Sequence, residues 1–331
     1  MLRLGIDVSP LALSRAGTAR YLRALLAGLQ DEAVDVERFE LAGDGRIRKL
    51  WRDTAWYLEA LPRAARRSGI DVLHCPTQRA PFRPGLPLVV TIHDLAVLRH
   101  PAMFNLWTRR YSALALPRIV GAASRIIVGS DFTRREVTEL LEVPEERLRV
   151  IPYGVGGSFI APEGPDTDGD YVLAVSTLEP RKNLVRLVEG FRLADLDGLE
   201  LRVVGAEGWG GVRVGGDQVR WLGEISDAEL ARQYRGAAAV AYVSLYEGFG
   251  LPVLEAMACA APVVAPAGRP YSEFAHGLTF EVDPRDPDSI ADGLLRAVAA
   301  GSQPVAAQRA RELSWDRAVQ AHVALYRDLA S

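Results

Sequence analysis

Two glutamates stand eight residues apart around a Gly-Phe-Gly turn in the stretch LYEGFGLPVLEAMAC, which covers residues 245–259. Glu247 precedes the turn, and Glu255 follows about one turn into a predicted helix. Glycine lets a ligand approach the backbone, and amides at a helix start lack intrahelical partners. The stretch predicts a site where Glu247 accepts hydrogen bonds from a hexose and Glu255 from a ribose, beside a phosphate. The alternative is a solvated loop with surface acids. The amides concerned are those of Gly248, Phe249, Gly250 and Leu251.

A pair of adjacent cations, Arg181 and Lys182, occurs in STLEPRKNL between a predicted strand and a predicted helix. The positive end of a helix dipole repels cations, so the pair does not stabilise the helix start. A diphosphate between them would explain both, because arginine offers a planar fork of donors and lysine a mobile point charge. The alternative is two solvated surface cations.

Further candidates lie in the first half of the chain. His93 and Asp94 end a predicted strand in VVTIHDLAVLRHP, where a histidine can act as a base or donate to a bound sugar. A satisfied structural histidine is the alternative. Gly17 and Thr18 open a predicted helix, which is a place for an anion or a substrate. The chain has neither a GxGxxG fingerprint nor a P-loop, which disfavours NAD enzymes and P-loop NTPases.

These candidates follow short apolar runs that alternate with helical patterns, as in a parallel sheet covered by helices. Residues 154–170 interrupt the alternation with a glycine-, proline- and acid-rich segment, which predicts a linker. We expect an α/β protein of two Rossmann-like domains facing across a cleft, with the site at the carboxyl ends of the strands. The predicted strands are RLGIDV, VERFEL, DVLHC, LVVTIHD, RIIVGS and LRVIPYG in the first half, and YVLAVS, LELRVVG, VRWLG, AAVAYVS, APVVAP and LTFEVD in the second.

Length and composition agree with two soluble domains: the chain has 331 residues, 49% of them hydrophobic and 24% charged. A net charge of -3 disfavours a general nucleic-acid binder. The two cysteines, Cys75 and Cys259, show no metal-ligand spacing and favour a reducing compartment. The start MLRLGIDVSP lacks the apolar core of a secretory signal, and no apolar run approaches the roughly 20 residues that span a bilayer. We therefore expect a cytoplasmic protein.

With these motifs, the sequence resembles the retaining, nucleotide-sugar-dependent glycosyltransferases of family 4, which have the GT-B fold. SLYEGFGLPVLEAMACAAPVVA is similar to their E-x7-E signature and VSTLEPRKNL to their phosphate-binding segment. VVTIHDLAVLRHP is similar to the strand of their acceptor-side histidine, VRWLGEISDAELARQYRGA to the segment framing the nucleobase, and LRVIPYGV to the approach to the linker. The similarity extends over nearly the whole chain. It implies an acceptor-side domain at 1–157, a nucleotide-sugar-binding domain at 158–315, and a last helix at 316–331 that packs back onto the first domain.

The resemblance implies transfer of a hexose from a GDP- or UDP-sugar to a glycan or lipid-linked acceptor, with no required metal or other cofactor. The form TLEPRKN is reminiscent of mannosyltransferases that use GDP-mannose. The mechanism commonly proposed for the family is front-face attack, in which the leaving phosphate takes the acceptor proton. Stabilising the charge that develops on a departing diphosphate lowers such a barrier strongly.

The resemblance also assigns roles to individual residues. Arg181 and Lys182 neutralise the diphosphate, and Glu247 holds the sugar. Glu255 binds the ribose, and His93 lies near the sugar on the acceptor side. The catalytic set is Arg181, Lys182, Glu247 and His93; the donor-binding set is Gly248, Phe249, Gly250, Leu251, Glu255, Glu224 and Ile225; the acceptor-side set is Gly17, Thr18 and Asp94.

Two positions depart from the family pattern. Thr177 stands where many members have an arginine, whose charge Arg181 is expected to supply, and Ala260 stands where a glycine is usual. These departures keep a rival open: a non-catalytic relative that binds a sugar nucleotide or a partner enzyme. A two-lobed solute-binding protein is a third hypothesis, which the Arg181–Lys182 pair and the start of the sequence disfavour.

A basic segment at 46–69 combines seven basic residues with two acids and with Trp51, Trp56 and Tyr57. A helix of this composition can lie on an anionic bilayer, which would place the protein peripherally at the inner face of a membrane. The alternative is an ordinary helix that covers the first sheet with its aromatic side chains.

Overall fold

The structure is a computed structural model that describes residues 1–13, 17–41, 51–160, 169–268 and 270–331, without the side chains of 13 and 52–54. The described chain forms two compact units. The amino-terminal unit comprises Met1–Tyr153 and Trp315–Ser331, and the carboxyl-terminal unit comprises Gly154–Ser314. Part of the predicted linker, residues 161–168, lies outside the described residues.

The amino-terminal unit is built on a parallel sheet that has six strands over the described residues, in the order β2-β1-β3-β4-β5-β6. Its inner strands are short apolar runs buried on both faces, the usual condition of a parallel sheet covered by helices. All six strands predicted in this half are confirmed. They are β1 (Leu2–Asp7), β2 (Val34–Phe39), β3 (Val72–Cys75), β4 (Leu88–Ile92), β5 (Arg125–Val128) and β6 (Leu148–Val150).

The helices of this unit pack on the sheet through apolar faces. Ser130 caps one of them, because its hydroxyl accepts a hydrogen bond from the Thr133 amide at 3.1 Å. A π-helical turn at Arg52–Ala60 was not predicted. The helices are α1 (Pro10–Leu13), α2 (Gly17–Gly28), α3 (Leu61–Ser68), α4 (Ala96–Arg99), α5 (Leu106–Ala122) and α6 (Asp131–Leu141).

The carboxyl-terminal unit repeats this architecture with strands in the order β12-β11-β10-β7-β8-β9, all paired in parallel. The six predicted strands form, although the one predicted from AAVAYVS ends early, at Ala241. The strands are β7 (Tyr171–Val175), β8 (Glu200–Val204), β9 (Val219–Gly223), β10 (Ala239–Ala241), β11 (Val263–Pro266) and β12 (Phe280–Val282). The helices are α7 (Leu184–Ala194), α8 (Asp227–Gly236), α9 (Leu251–Ala258), α10 (Ser272–Ala275), α11 (Pro287–Ala300) and α12 (Pro304–Arg311).

The last helix, α13 (Trp315–Ala330), belongs to the amino-terminal unit and packs on α2, β1 and β3. Polar side chains fasten it there. His322 of α13 lies 2.7 Å from the hydroxyl of Tyr21, and the Tyr326 hydroxyl lies 2.8 Å from Nδ1 of His74. The chain therefore completes its first sheet layer with its final segment.

Candidate functional site

The second sheet changes direction between β7 and β10. These strands are neighbours, but the chain runs from β7 to β8 on one side and returns to place β10 on the other. Such a switch point opens a crevice outside the carboxyl ends of the two strands, where ligands of open α/β sheets bind. The Arg181–Lys182 pair lies in the loop that follows β7, and Glu247 lies in the loop that follows β10.

The loop after β7 is held by Asn183. Pro180–Lys182 forms one 3-10 turn, and Asn183 then takes a left-handed conformation with φ of 61° before α7 begins. The side-chain amide of Asn183 donates to the Val243 carbonyl at 3.1 Å and to the Pro284 carbonyl at 2.6 Å. This residue fixes the cation-bearing turn to the loop that follows β10.

The two cations and Glu247 meet at a single carboxylate oxygen. Oε1 of Glu247 lies 2.7 Å from Nζ of Lys182 and 3.1 Å from Nη1 of Arg181. Lys182 also donates to the Tyr242 hydroxyl at 2.8 Å. The side chains of Lys182 and Arg181 are 11% exposed and that of Glu247 is 10% exposed, so the charges interact with little screening by solvent.

Arg181 has a second acidic partner. Its Nη2 lies 2.9 Å from Oε1 of Glu179, a carboxylate that is almost fully buried, and its Nη1 donates to the Tyr246 carbonyl at 2.8 Å. The formal charges of Arg181, Lys182, Glu179 and Glu247 therefore cancel. A diphosphate entering this cluster would compete with the carboxylates for the same donors.

The electrostatics of the cluster keep Glu247 ionised. Burial would raise the pKa of Glu247, but the charges of Arg181 and Lys182 outweigh it and lower the pKa to about 2. Burial raises the pKa of Tyr242 and of Tyr271 well above the ordinary value, and the nearby Glu247 charge adds to both shifts. The two tyrosines remain neutral hydroxyls at physiological pH.

Some polar atoms around the cluster have no hydrogen-bond partner within the described part of the chain. They are the hydroxyl of Tyr271, Oε2 of Glu179 and the hydroxyl of Ser176. Buried polar groups are almost always paired, so unsatisfied ones indicate a missing ligand or water. The site therefore has capacity for a polar ligand beyond the contacts that the protein makes with itself.

The Gly-Phe-Gly turn leads into α9 as predicted, with Pro252 in its first turn. Gly250 has φ of 95°, and a Cβ atom there would lie 2.5 Å from the ring of Tyr271, so this position requires glycine. The ring of Phe249 stacks on Phe274, with centroids 5.0 Å apart. Phe249 thus anchors the turn, while Gly250 and Leu251 place their amides at the start of α9.

The other predicted donor residues lie in α9 and after β9. Glu255 is buried within α9, where the Tyr234 hydroxyl donates to its Oε2 at 3.3 Å. Glu224 is exposed and Ile225 half-buried in the loop after β9, an edge strand separated from β7 by β8. The structure unites Arg181, Lys182 and Glu247, and their roles and those of Glu255, Glu224 and Ile225 stay predictions.

In the amino-terminal unit, both ring nitrogens of His93 are engaged. Nε2 lies 3.0 Å from the Pro76 carbonyl, which can only accept, so Nδ1 accepts from the Tyr153 hydroxyl at 2.6 Å. Burial lowers the pKa of His93, and the ring is neutral. A catalytic role for His93 requires that one of these contacts opens, and the role stays a prediction.

The remaining acceptor-side candidates lie at helix starts. Asp94 accepts from the amide of Ala96 at 3.0 Å, in the first turn of α4. Gly17 is exposed and Thr18 half-buried at the beginning of α2, while residues 14–16 just before them lie outside the described residues. Their predicted contact with a substrate is untested.

Sequence reasoning missed Glu179, Tyr242 and Tyr271. Tyr242 had a signal, since it directly follows β10 at the edge where the site was expected. Glu179 was part of the quoted stretch, but its pairing with Arg181 depends on the turn conformation. Tyr271 carried no local signal, because the chain between β11 and α10 brings it back to the site.

Comparison with known proteins identifies the chain. Residues 1–156 match the family model described as Glycosyltransferase Family 4, and residues 158–312 match that of Glycosyl transferases group 1. The chain belongs to the family 4 glycosyltransferases. The glycosyltransferase is 31% identical to a D-inositol 3-phosphate glycosyltransferase from Actinosynnema mirum, over 74% of this chain and 67% of that protein. It is 28% identical to O-antigen chain mannosyltransferase B from Escherichia coli, over 72% of this chain and 70% of that protein.

Solved structures confirm the GT-B fold of the glycosyltransferase. Sucrose-phosphate synthase from Thermosynechococcus elongatus superposes with a TM-score of 0.78 at 21% identity, over 99% of each chain. Anabaena HepE, solved with UDP-glucose, gives a TM-score of 0.75 at 18% identity, over 99% of this chain and all of the other. With the family, the expected activity is confirmed: the chain is a nucleotide-sugar-dependent glycosyltransferase.

Two further features bear on contact with a membrane. Within the residues that the structure describes, no helix is long and apolar enough to cross a bilayer. The predicted membrane segment at 46–69 lies partly outside them, and in its described part Trp56 packs on the sheet core while the Tyr57 hydroxyl donates to Asp7 at 2.7 Å. These two rings cover the first sheet, as the alternative interpretation of the segment expected.

Proposed function

We propose that this glycosyltransferase transfers mannose from GDP-mannose to a glycan or lipid-linked acceptor with retention of anomeric configuration. The observation that carries the proposal is the convergence of Lys182 and Arg181 on one oxygen of Glu247 at the switch point between β7 and β10. Mannose is favoured by the relative that is named a mannosyltransferase, and GDP-mannose by the resemblance of TLEPRKN to enzymes that use it.

The charge balance of the cluster suggests how the donor binds. A diphosphate is a stronger acceptor than a single carboxylate oxygen and takes Lys182 and Arg181 as its partners. Glu247 then turns its oxygens to hydroxyls of the sugar. Glu179, which also pairs with Arg181, keeps the guanidinium aimed at the phosphate throughout this exchange.

The chemical step commonly proposed for the family is compatible with this arrangement. The acceptor hydroxyl attacks the anomeric carbon from the face on which the diphosphate leaves, and the bond between that carbon and the phosphate oxygen breaks. The departing phosphate oxygen takes the acceptor proton, so no protein base is needed. Lys182 and Arg181 stabilise the charge that grows on the diphosphate, in a site with little solvent.

The remaining assignments complete the proposal. Glu255 holds the ribose, residues 224–225 frame the base, and His93 orients the sugar by exchanging one of its present hydrogen bonds. No metal is required, since the two cations supply the positive charge. The buried thiols of Cys75 and Cys259, which form no disulfide within the described residues, are compatible with action in the cytoplasm, peripheral to the inner face of a membrane.

The test is a panel of GDP-mannose, UDP-glucose, UDP-N-acetylglucosamine and ADP-glucose, each incubated with the protein and a simple mannoside acceptor. We expect GDP-mannose to be hydrolysed or transferred fastest, and GDP to raise the unfolding temperature more than UDP or ADP. The anomeric coupling of the product, measured by NMR, should match that of the donor. An inverted product, or turnover with a UDP-sugar alone, would overturn retention or the choice of donor.

A further inference from the structure

Helix α5 presents large apolar side chains to solvent. Leu106 is 64% exposed, Trp107 55% and Leu114 64%, and all three lie on this one helix. The opposite side of the same helix packs on the sheet through Ala115, Leu116, Ile119 and Val120. The exposed residues are therefore a second apolar face, which the fold of the unit does not use.

The surroundings of this face are strongly basic. Residues 95–130 contain five arginines and no aspartate or glutamate, in a chain whose net charge is -3. Arg99 pairs with Glu136 and Glu139, and Arg125 lies 3.9 Å from Asp328. The other three, Arg109, Arg110 and Arg118, are exposed and form no ion pair with the described part of the chain.

Helical geometry interleaves these charges with the apolar side chains. At about 100° per residue, Arg110, Leu114, Trp107 and Arg118 follow one another around one side of the helix. Trp107 stacks on Tyr111 with centroids 6.3 Å apart, and the guanidinium of Arg79 lies 5.7 Å from the centre of the Tyr111 ring. The Asn105 side chain caps the helix start by accepting from the Thr108 amide. These contacts support the start of the helix and the Trp107 ring.

We propose that this face of α5 docks on a bilayer leaflet that carries anionic headgroups. Trp107, Leu106 and Leu114 enter the boundary between headgroups and acyl chains, and Arg110 and Arg118 bind lipid phosphates. A second copy of the chain is a poorer occupant, because a two-fold contact would bring like-charged arginines together. Anionic lipid supplies both the apolar layer and the negative charge that the face lacks.

This surface differs from the segment at 46–69. There, Arg63 pairs with Glu59, and Trp56 and Tyr57 face the sheet. In α5, the aromatic ring of Trp107 and the guanidinium groups of Arg110 and Arg118 are exposed to solvent. The docking is independent of the transfer reaction, so failure of one leaves the other standing.

The experiment measures flotation with phosphatidylcholine vesicles, with and without phosphatidylglycerol. We expect the wild type to float only with phosphatidylglycerol and to be released by added salt. Trp107→Ala/Leu114→Ala and Arg110→Gln/Arg118→Gln should each weaken binding about tenfold or more. Leu193→Ala/Val305→Ala and Arg220→Gln/Arg285→Gln change equally exposed side chains of the other unit and should bind like the wild type.

A label distinguishes insertion from mere attraction. Cys75 and Cys259 are buried, so a polarity-sensitive fluorophore attaches selectively to Leu114→Cys, with Leu193→Cys as the matched control. A blue shift of the α5 label alone, on anionic vesicles, supports the proposal. It is overturned if the wild type does not bind, if the α5 variants bind normally, or if they instead abolish a dimer seen by ultracentrifugation.

Discussion

The hydroxyl of Tyr21 lies 2.7 Å from Nε2 of His322, which follows it by 301 residues in the chain. Nδ1 of His322 lies 2.7 Å from the Ala318 carbonyl, which can only accept. Nδ1 therefore carries the proton, and Nε2 accepts from Tyr21. With its own proton committed, the Tyr21 oxygen accepts from the hydroxyl of Thr91, 3.1 Å away.

The same logic orders the next links. Since Thr91 donates to Tyr21, it accepts from Nε2 of His74 at 2.8 Å, and Nδ1 of His74 then accepts from the Tyr326 hydroxyl at 2.8 Å. One carbonyl thus sets the direction of every proton in a buried chain that joins α2, β3, β4 and α13. The chain requires neutral histidines, and burial accordingly lowers the pKa of His74 well below its ordinary value.

Acid should weaken the amino-terminal unit. Burial lowers the pKa of His322 to about 4, against 6.5 for a free histidine, so the unfolded chain binds more protons between these pH values. The stability that this residue contributes is complete above pH 6.5 and is lost as the pH falls toward 4. The difference corresponds to about 3 kcal/mol, and His74 acts in the same direction. Urea unfolding between pH 4 and pH 7.5 measures it.

Two histidine variants test this prediction, the first as the test variant and the second as its control. His322→Gln should reduce the pH dependence of unfolding and leave the part that His74 contributes. His276→Gln, at an exposed position of the other unit, should leave it unchanged. A transition of the amino-terminal unit that is equally stable at pH 4.5 and 7.5 would contradict the proton order derived above.

Removing the lysine should abolish most transfer. We expect Lys182→Ala to lower turnover about 100- to 1,000-fold, because a departing diphosphate then loses one of its two cations. The fold should persist, since Glu247 keeps Arg181 as a partner. Rates of donor hydrolysis and the unfolding midpoint check both expectations. Arg192→Ala, which removes an exposed cation of α7, is the control, and wild-type turnover in Lys182→Ala would remove the lysine from the mechanism.

Neutralising the Glu247 carboxylate should change GDP binding and turnover in opposite directions. In Glu247→Gln the cations no longer have an anionic partner at that oxygen, so we expect GDP to bind more tightly while transfer falls. Calorimetric titration and turnover, measured on one preparation, test the two opposite changes. Glu189→Gln, on the exposed side of α7, should alter neither. Weaker GDP binding in Glu247→Gln would refute competition between the carboxylate and the diphosphate.

The alanine at position 260 should cost stability. Ala260 stands where the family pattern has a glycine, and its φ of 57° is a conformation that favours glycine. Its amide donates to the Met257 carbonyl, and its carbonyl accepts from the Gln303 amide. We expect Ala260→Gly to raise the free energy of unfolding by about 1 kcal/mol. Ala299→Gly, in the helical backbone of α11, should lower it by a similar amount. Denaturant titration compares them, and a destabilised Ala260→Gly would contradict the expectation.

Most of the scaffold was predictable because its signals are local. A strand such as Leu88–Ile92 is a short β-branched run, and a parallel sheet buries both of its faces, so composition alone marks it. The position of Arg181 and Lys182 followed from their place between β7 and α7. The meeting of these cations with Glu247 was expected for the same reason, since both loops leave the same edge of one sheet.

Contacts between distant segments were not predictable. The positive φ of Asn183 depends on carbonyls of Val243 and Pro284, some 60 and 101 residues away. The commitment of both His93 nitrogens depends on Pro76 and Tyr153, and no motif reports such pairings. Hydrogen-bond networks of this kind follow from packing, which single-sequence patterns do not encode.

The return of α13 to the first sheet has a consequence for building chimaeras. A donor-specificity swap would have to exchange Gly154–Ser314 as an insert with two junctions, since a single crossover would also replace His322 and Tyr326. In a chimaera made with a single crossover, the last helix would come from the other protein. Tyr21 and His74 would then lose His322 and Tyr326 as their polar partners. Recombination between relatives should therefore succeed when two breakpoints are used, one on each side of the exchanged unit.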